Sequence, residues 1–387
     1  MTSLVVFRHC IYLDLYEAVP SGTDLTCTFK KRVDIPSTKP LSSICPPGFV
    51  DASYNDVSNE LQLVWKTDNA EVSLIPPTDV CIARLALHMT VAEVVPFNLV
   101  NGFALSLALC QNVPYVATEY NDGGNALSFV TVIKGADGQL TARNCVYQTT
   151  DGPDTRMYPS LYCPSAPSTM DYMYNFAVDS QKNLLSIDWI KIEDLENLSV
   201  DTNLTWTRTP INDISATDQN LTKMYRRYPG TPILLADEEG SFWLNIIYWS
   251  HHVKQIIGFR VAVNAADGSL SGDTVEPQDL IMIDRNLGEI VVPSNPSVFI
   301  REGRLWVLFP SRTGGFLISS VAPTDGKLPK PDDWAVGNFT LPDPVDNNGT
   351  MPANVSNEPT EDAAHINNGW GGCFIREVGN TWWQSYP

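Results

Sequence analysis

Residues 231–270 read TPILLADEEG SFWLNIIYWS HHVKQIIGFR VAVNAADGSL. The segment holds an apolar run (Pro232 to Ala236), an Asp-Glu-Glu-Gly turn, a second run (Phe242 to Trp249) and a third (Gln255 to Val263). A further β-rich run follows at Asp279 to Asp284. β-Branched and aromatic residues in short runs punctuated by Gly and Asp predict four antiparallel strands. The next stretch copies the plan: Ser297 to Arg301, a Glu-Gly turn, Leu305 to Phe309, Gly315 to Val321 and Trp334 to Leu341. A four-stranded unit that recurs is the signature of a propeller blade.

The copies share a phrase after the third strand. It reads Ala136-Asp-Gly-Gln-Leu140, Ala266-Asp-Gly-Ser-Leu270 and Thr324-Asp-Gly-Lys-Leu328. Asp-Gly after an apolar strand predicts a hairpin, because Gly reaches positive φ without steric cost. The same register fits Phe103 to Cys110, Val113 to Tyr120, Leu127 to Ile133 and Ala142 to Gln148. It also fits Tyr158 to Cys163, Tyr172 to Val178, Leu184 to Ile192 and Leu204 to Arg208. A weaker unit runs from Gly48 through Leu61 to Trp65 and Val72 to Ile75, with Val80 to Leu87 as its fourth strand. At the C-terminus, Gly372 to Glu377 and Thr381 to Tyr386 supply only two strands. Leu4 to Phe7 and Cys10 to Leu15 stand unpaired at the N-terminus.

Both orphan pairs are used if residues 1–33 complete the last blade, which also removes exposed sheet edges. The expectation is all-β: one domain over 1–387, a six-bladed β-propeller of four-stranded antiparallel blades. First strands begin near 48, 102, 158, 231, 296 and 371, a mean step of about 65 residues.

The chain carries 44 acidic against 25 basic residues, net charge -19, so nucleic acid is not an expected partner. No run of apolar residues is long enough for a membrane-spanning helix. Sequons stand at Asn197, Asn203, Asn220, Asn338, Asn348 and Asn354. Clustered in two polar regions, they predict N-linked glycans and a secretory-pathway or secreted protein. Eight cysteines agree with an oxidising compartment, Cys27/Cys45 and Cys145/Cys163 being the local pairs expected first. Met1 to Cys10 lacks the form of a signal peptide, since Arg8 and His9 interrupt it. The expectation is a leader removed upstream and Met1 supplied by expression.

In a propeller the loops after second strands share a face with the connectors into first strands. That face gathers Tyr120, Tyr248, Trp249, His251, His252 and Arg312. It also receives two copies of a second phrase, Arg156-Met-Tyr158-Pro and Arg226-Arg-Tyr228-Pro. Aromatic walls with a few hydrogen-bond donors suit a small-molecule pocket. His251, His252, Tyr158 and Arg312 are the candidate catalytic donors, and Arg156, Arg226, Tyr228, Tyr248, Trp249 and Tyr120 the candidate binding residues. Arg-x-Tyr-Pro reads equally as a structural corner. Trp65, Trp243, Trp306, Trp382 and Trp383 read as inter-blade core on second strands. Adjacent histidines on a strand point to opposite faces, so no metal site is expected at His251-His252. No Gly-x-Ser-x-Gly elbow, His-Glu-x-x-His, Walker loop or dinucleotide fingerprint occurs. No Ser-x-Asp-x-Gly-x-x-Trp phrase of sialidase-type propellers occurs either, while a glycosidase's carboxylate pair leaves no spacing to search for.

Two families share this layout. In blade count the chain resembles fungal six-bladed fucose-binding lectins, which implies a secreted carbohydrate-binding lectin. Those lectins repeat one Arg/Glu/Trp site per blade, whereas here the mouth residues differ between blades. In length, blade count and glycosylation it resembles the glycosylated fungal hetero-Diels–Alderases of tropolonic sesquiterpenoid pathways. That resemblance implies two small apolar substrates and no cofactor. A hydroxymethyl tropolone would lose water, and the resulting quinone methide would add [4+2] to a humulene-type alkene. The family supplies no motif for individual positions, so the candidate residues rest on the topology argument alone.

Overall fold

The computed structural model describes residues 2–8, 12–34, 50–55, 60–67, 77–86, 91–100, 102–110, 113–121, 125–134, 140–149, 156–164, 170–179, 184–196, 203–211, 231–250, 255–270, 278–282, 297–301, 303–311, 314–321, 323–340, 342 and 381–385. Strands dominate. The N-terminal three are β1 (Thr2–Arg8), β2 (Tyr12–Ser21) and β3 (Asp24–Asp34). Unit one is β4 (Val50–Asn55), β5 (Glu60–Thr67), β6 (Pro77–Ala86) and β7 (Val91–Val100). Unit two is β8 (Gly102–Cys110), β9 (Val113–Asn121), β10 (Asn125–Lys134) and β11 (Leu140–Thr149). Unit three is β12 (Arg156–Tyr162), β13 (Tyr172–Asp179), β14 (Leu184–Lys191), the short helix α1 (Ile192–Glu196) and β15 (Asn203–Pro210). Unit four is β16 (Thr231–Ala236), β17 (Phe242–Ser250), β18 (Gln255–Val263) and β19 (Gln278–Met282). Unit five is β20 (Ser297–Arg301), β21 (Arg304–Ser311), β22 (Gly314–Val321) and β23 (Ala335–Thr340), and the last strand is β24 (Thr381–Ser385).

Units one to five are antiparallel meanders in which each strand pairs with the next. The sixth set has the order β24-β1-β2-β3, so the chain's two ends share one sheet. Its seam is parallel, Leu4 lying opposite Trp382. The expected all-antiparallel blade therefore holds for five units and fails for this one. No hairpin joins the two strands, so nothing forces the antiparallel sense. The N-terminus contributes three strands rather than two, and the expected strand Gly372 to Glu377 lies outside the described residues. Trp382 and Trp383 sit on the strand paired to β1. First strands touch one another, β24 with β4, β4 with β8, β8 with β12 and β16 with β20. Fourth strands meet in parallel at two places, β11 with β15 and β23 with β3.

Unit one corrects the expected register. The run assigned as its fourth strand is its third, β6, and the fourth is β7. Pro96 argues against a ladder strand in sequence, but β7 lies at the sheet edge, where a missing N–H is tolerated. The run Val72 to Ile75 lies outside the described residues. In unit three the expected third strand stops at Lys191 and Ile192 opens α1.

The Asp-Gly phrases are not simple hairpins; they lock one unit onto the unit before it. Asp267 caps its own turn by accepting from Ser269 N (2.9 Å) and Ser269 Oγ (2.8 Å). The Gly268 carbonyl accepts from the Tyr174 hydroxyl of unit three, and Asp171 N donates to the Asp267 carbonyl at 2.8 Å. In the next copy Asn245 Nδ2 of unit four donates to the Gly326 carbonyl at 3.1 Å. Gly268 and Gly326 have φ of +87° and +70°. A Cβ at Gly326 would overlap the Trp243 ring, and one at Gly268 would crowd the Met170 sulfur. Glycine is thus required twice over, for its torsion and for close approach. Leu270 and Leu328, which end the phrase, are buried. In unit three α1 does the same work, burying Ile192 and Leu195 in a cluster with Ala108 and Tyr115 of unit two. Asp137-Gly138 lies outside the described residues.

Two apolar clusters fill these interfaces. One joins Tyr174, Phe176 and Ile187 of unit three to Leu244, Ile246, Ile257 and Phe259 of unit four. The other joins Ala108, Tyr115 and Ala117 of unit two to Leu161, Met173, Ala177 and Trp206 of unit three. Alternation along β13 sends Met173 and Ala177 to one neighbour and Tyr174 and Phe176 to the other, as a sheet covered on both faces requires. Trp306 is buried, and Trp243, half-buried beneath Arg260, meets Gly326 of the next unit, a contact between units.

Candidate functional site

The ladders define one common edge in the units. Gly102 at the start of β8 is opposite Tyr120 near the end of β9, and Arg156 at the start of β12 is opposite Asp179. Thr231 at the start of β16 is opposite Ile247, beside Tyr248 and Trp249. The backbone therefore puts Tyr120, Arg156, Tyr158, Tyr248 and Trp249 at equivalent edges of units two, three and four. His251, His252, Arg226, Tyr228 and Arg312 lie outside the described residues.

The first Arg-x-Tyr-Pro phrase forms a β-bulge. On β12 the pairing moves from Met157↔Val178 to Ser160↔Phe176, so three steps on one strand match two on the other. Tyr158 and Pro159 fill the interruption, where a proline costs no ladder hydrogen bond. The Ser160 N–H goes to Asn175 Oδ1 at 3.1 Å, and the Leu161 N–H goes to Ser106 Oγ at 2.9 Å. Asn175 is fully buried and Ser106 nearly so.

The Asn175 row continues outward. Asn175 is opposite Asp188, and Asp188 is opposite Arg208. Arg208 Nε lies 3.4 Å from Asp188 Oδ1, with side chains 8% and 0% exposed. An ion pair this deep holds register, because either charge left alone in an apolar interface is costly. Trp189 Nε1 on the other face of β14 donates to Thr209 Oγ1 at 3.0 Å. Sequence reading missed Asn175, Ser106, Asp188 and Arg208. The available signal was an Asn in the middle of an apolar strand, as in YMYNFAV, since a buried amide needs partners.

The opposite edge carries the docking turns and is electrostatically distinct. Arg260 Cζ sits 3.8 Å above the Trp243 ring, whose Nε1 donates to Asp237 Oδ2 at 3.2 Å. Desolvation pushes the Asp237 carboxyl up, but hydrogen bonds from Ser241, Trp243 and Glu239 together hold it below the usual carboxylate range. The backbone and hydroxyl of Ser269 likewise hold Asp267 low. Burial, then the nearby Tyr162 and Asp267, raises the Tyr174 phenol above its ordinary value. Among the described residues no group of three or more His, Cys, Asp or Glu is arranged to hold a metal ion.

The cysteines pair differently from expectation. Cys163 is bonded to Cys110, not Cys145, with Cα atoms 5.4 Å apart, which ties the ends of β8 and β12. First strands of adjacent units run side by side, a proximity that spacing along the chain cannot reveal. Cys27 is a buried free thiol on β3, not half of a Cys27/Cys45 bridge, and burial pushes it up to about 12. Of the sequon asparagines, Asn338 is exposed on β23 and its N–H donates to Asp24 Oδ1 at 2.8 Å. Asn203 opens β15; Asn197, Asn220, Asn348 and Asn354 lie outside the described residues. No helix among the described residues is long and apolar enough to cross a membrane.

No family model matches the chain, and no curated sequence matches it significantly. Several solved structures share a partial likeness. The periplasmic gluconolactonase of Pseudomonas aeruginosa is 10% identical, over 83% of this chain and 78% of that one, with a TM-score of 0.46. The α-L-arabinanase of Penicillium chrysogenum is 12% identical, over 77% and 82%, with a TM-score of 0.43. A GH43_1 enzyme of Xanthomonas citri is 14% identical, over 81% and 92%, with a TM-score of 0.38. Likeness at this level carries no argument about activity, so the functional reading rests on the chain's own residues.

Proposed function

We propose that the chain is a single-domain, six-bladed β-propeller that catalyses a hetero-Diels–Alder cycloaddition between a tropolone-derived quinone methide and a humulene-type sesquiterpene. The observation that carries this reading is the common edge. The backbone of a repeated scaffold brings Tyr120, Arg156, Tyr158, Tyr248 and Trp249 to that edge, and the residues that end or follow the second strands differ from unit to unit: Asn121, His251 and Arg312. A multivalent binder would repeat one site; unlike residues around one mouth suit one asymmetric pocket. The touching first strands and the sharing of one sheet by both chain ends support closure of six blades.

The reaction balances without an external reagent. The hydroxymethyl tropolone loses water to give the quinone methide. Its terminal carbon and oxygen then form one C–C and one C–O bond to the two carbons of the alkene. No atom is lost in the second step. The protein must hold two apolar reactants in near-attack geometry, which lowers a barrier by roughly 7–11 kcal/mol in favourable cases. Tyr158, His251, His252 and Arg312 are assigned as donors to the departing hydroxyl and the diene oxygen. Arg156, Arg226, Tyr228, Tyr248, Trp249 and Tyr120 form the walls, whose dryness slows capture of the quinone methide by water. N-linked glycans and passage through the secretory pathway complete the reading.

The test is co-incubation of the hydroxymethyl precursor and humulene with and without protein, followed by chiral chromatography and mass spectrometry. The expected product has the summed mass of the two less one water, formed faster and with one stereochemistry. An identical rate and isomer ratio without protein would overturn the proposal. Several equivalent sites on a glycan array, with no product, would establish a lectin.

A further inference from the structure

We propose that Asn175 and Ser106 are positioning residues that fix the course of β12 through Tyr158; the consequence for turnover rests on the reading of Tyr158 given above. Three observations converge on this segment. The β12 ladder slips between Met157 and Ser160, so Tyr158 and Pro159 stand out of register at the candidate edge. The two N–H groups that follow are directed to side chains: Ser160 to Asn175 Oδ1 and Leu161 to Ser106 Oγ. These partners come from opposite sides, Asn175 from the next strand of the same unit and Ser106 from β8, the first strand of the unit before.

A bulge re-aims the residues it carries, and it persists only where its surroundings over-determine it. Here the surroundings are dry. Asn175 is 0% exposed, Ser106 5%, Ser160 8% and Leu161 0%, so solvent cannot take over a lost acceptor. Removing either acceptor leaves a buried N–H to find another partner, and the strand must shift to do so. A shift near 1 Å at a reacting group costs about 100-fold in rate. Ser106 also couples two units, because its hydroxyl transmits the position of β8 to β12. The Cys110–Cys163 bridge ties the far ends of the same two strands. The hydroxyl thus anchors β12 at Leu161, two residues before the bridged Cys163, and Asn175 anchors it at Ser160, directly after the bulge that carries Tyr158.

The experiment compares the parent with Ser106→Ala, Ser106→Thr and Asn175→Ala, each first shown to be folded by circular dichroism. Ser106→Ala deletes one atom and leaves the fold; Asn175→Ala repeats the test from the other side. The first readout needs no substrate: the rate of Tyr158 nitration by tetranitromethane, followed by peptide mass mapping. It should change in Ser106→Ala and Asn175→Ala and return in Ser106→Thr. An unchanged rate in both alanine variants overturns the proposal. The second readout is turnover. Ser106→Ala should lower kcat about 10–100-fold with little change in KM, and should add no further loss to Tyr158→Phe. Losses that add in the double variant overturn the proposal, since they show that Ser106 does not act through Tyr158. Altered nitration with unaltered turnover supports the positioning role and removes Tyr158 from the candidate site.

Discussion

Replacing Cys110 and Cys163 together by alanine removes the covalent tie between β8 and β12 while leaving the non-covalent contacts of units two and three. The bridge spans a sequence separation of 53 residues. Cross-linking a loop of that length removes about 14 cal/mol/K of chain entropy from the unfolded state, or about 4 kcal/mol at 25 °C. In the folded state the interface is held by the apolar cluster around Tyr115, Met173 and Trp206 and by parallel pairing of β11 with β15. The native structure should therefore survive, and the loss should appear in stability alone. The assay is equilibrium unfolding in guanidinium chloride at 25 °C, comparing the oxidised parent with the double variant. Alanine is chosen because Cys110 lies in the apolar cluster, where serine would add a hydroxyl to satisfy. A destabilisation below about 1 kcal/mol would refute the reasoning, by showing that the bridge does not restrict the unfolded chain as a loop of this length should.

Other consequences follow from the same contacts. Gly326→Ala combines a left-handed torsion with overlap on Trp243 and should cost more than Gly240→Ala, which shares the torsion but meets open space; paired melting curves measure the difference. Asp267 has a folded-state pKa held low, so its contribution is complete above the ordinary carboxylate range and is lost as pH falls through the depressed value. Stability measured from pH 7 downward should show a shallower acid loss in Asp267→Asn than in the parent. Cys27, pushed up to about 12, should resist a thiolate-specific reagent at pH 8 in the folded protein and react once the chain unfolds. Mass mapping of the Cys27 peptide reads this directly.

How far the chain could be read without coordinates differs by element. Units four and five were legible almost to the residue, because short apolar runs alternate there with Asp and Gly turns. Unit one was not, since the apolar run Val72 to Ile75 counted as a strand and displaced β6 to fourth place, leaving β7 with its Pro96 unread. The Arg-x-Tyr-Pro phrase admitted both a corner and a site; the register slip makes the first copy a bulge at the candidate edge. Asn175 and Ser106 stayed hidden because their partners are backbone groups 15 and 55 residues away in sequence. Nothing in local pattern encodes such a meeting.

By itself, the sequence determined the local chemistry: β-rich runs, the turns between them, a four-stranded repeat and a strongly acidic composition. These follow from torsional preference and from alternation, both properties of neighbouring residues. Only the tertiary structure decided what the repeat is for. It turned the Asp-Gly phrase from a hairpin into a lock between units, because Gly268 and Gly326 meet side chains of the preceding unit. It paired Cys163 with Cys110 rather than Cys145, and it made the expected seam between the chain's two ends, β1 with β24, parallel. Each of these contacts joins residues far apart in sequence. Packing chooses such partners by shape and burial, which no local window contains.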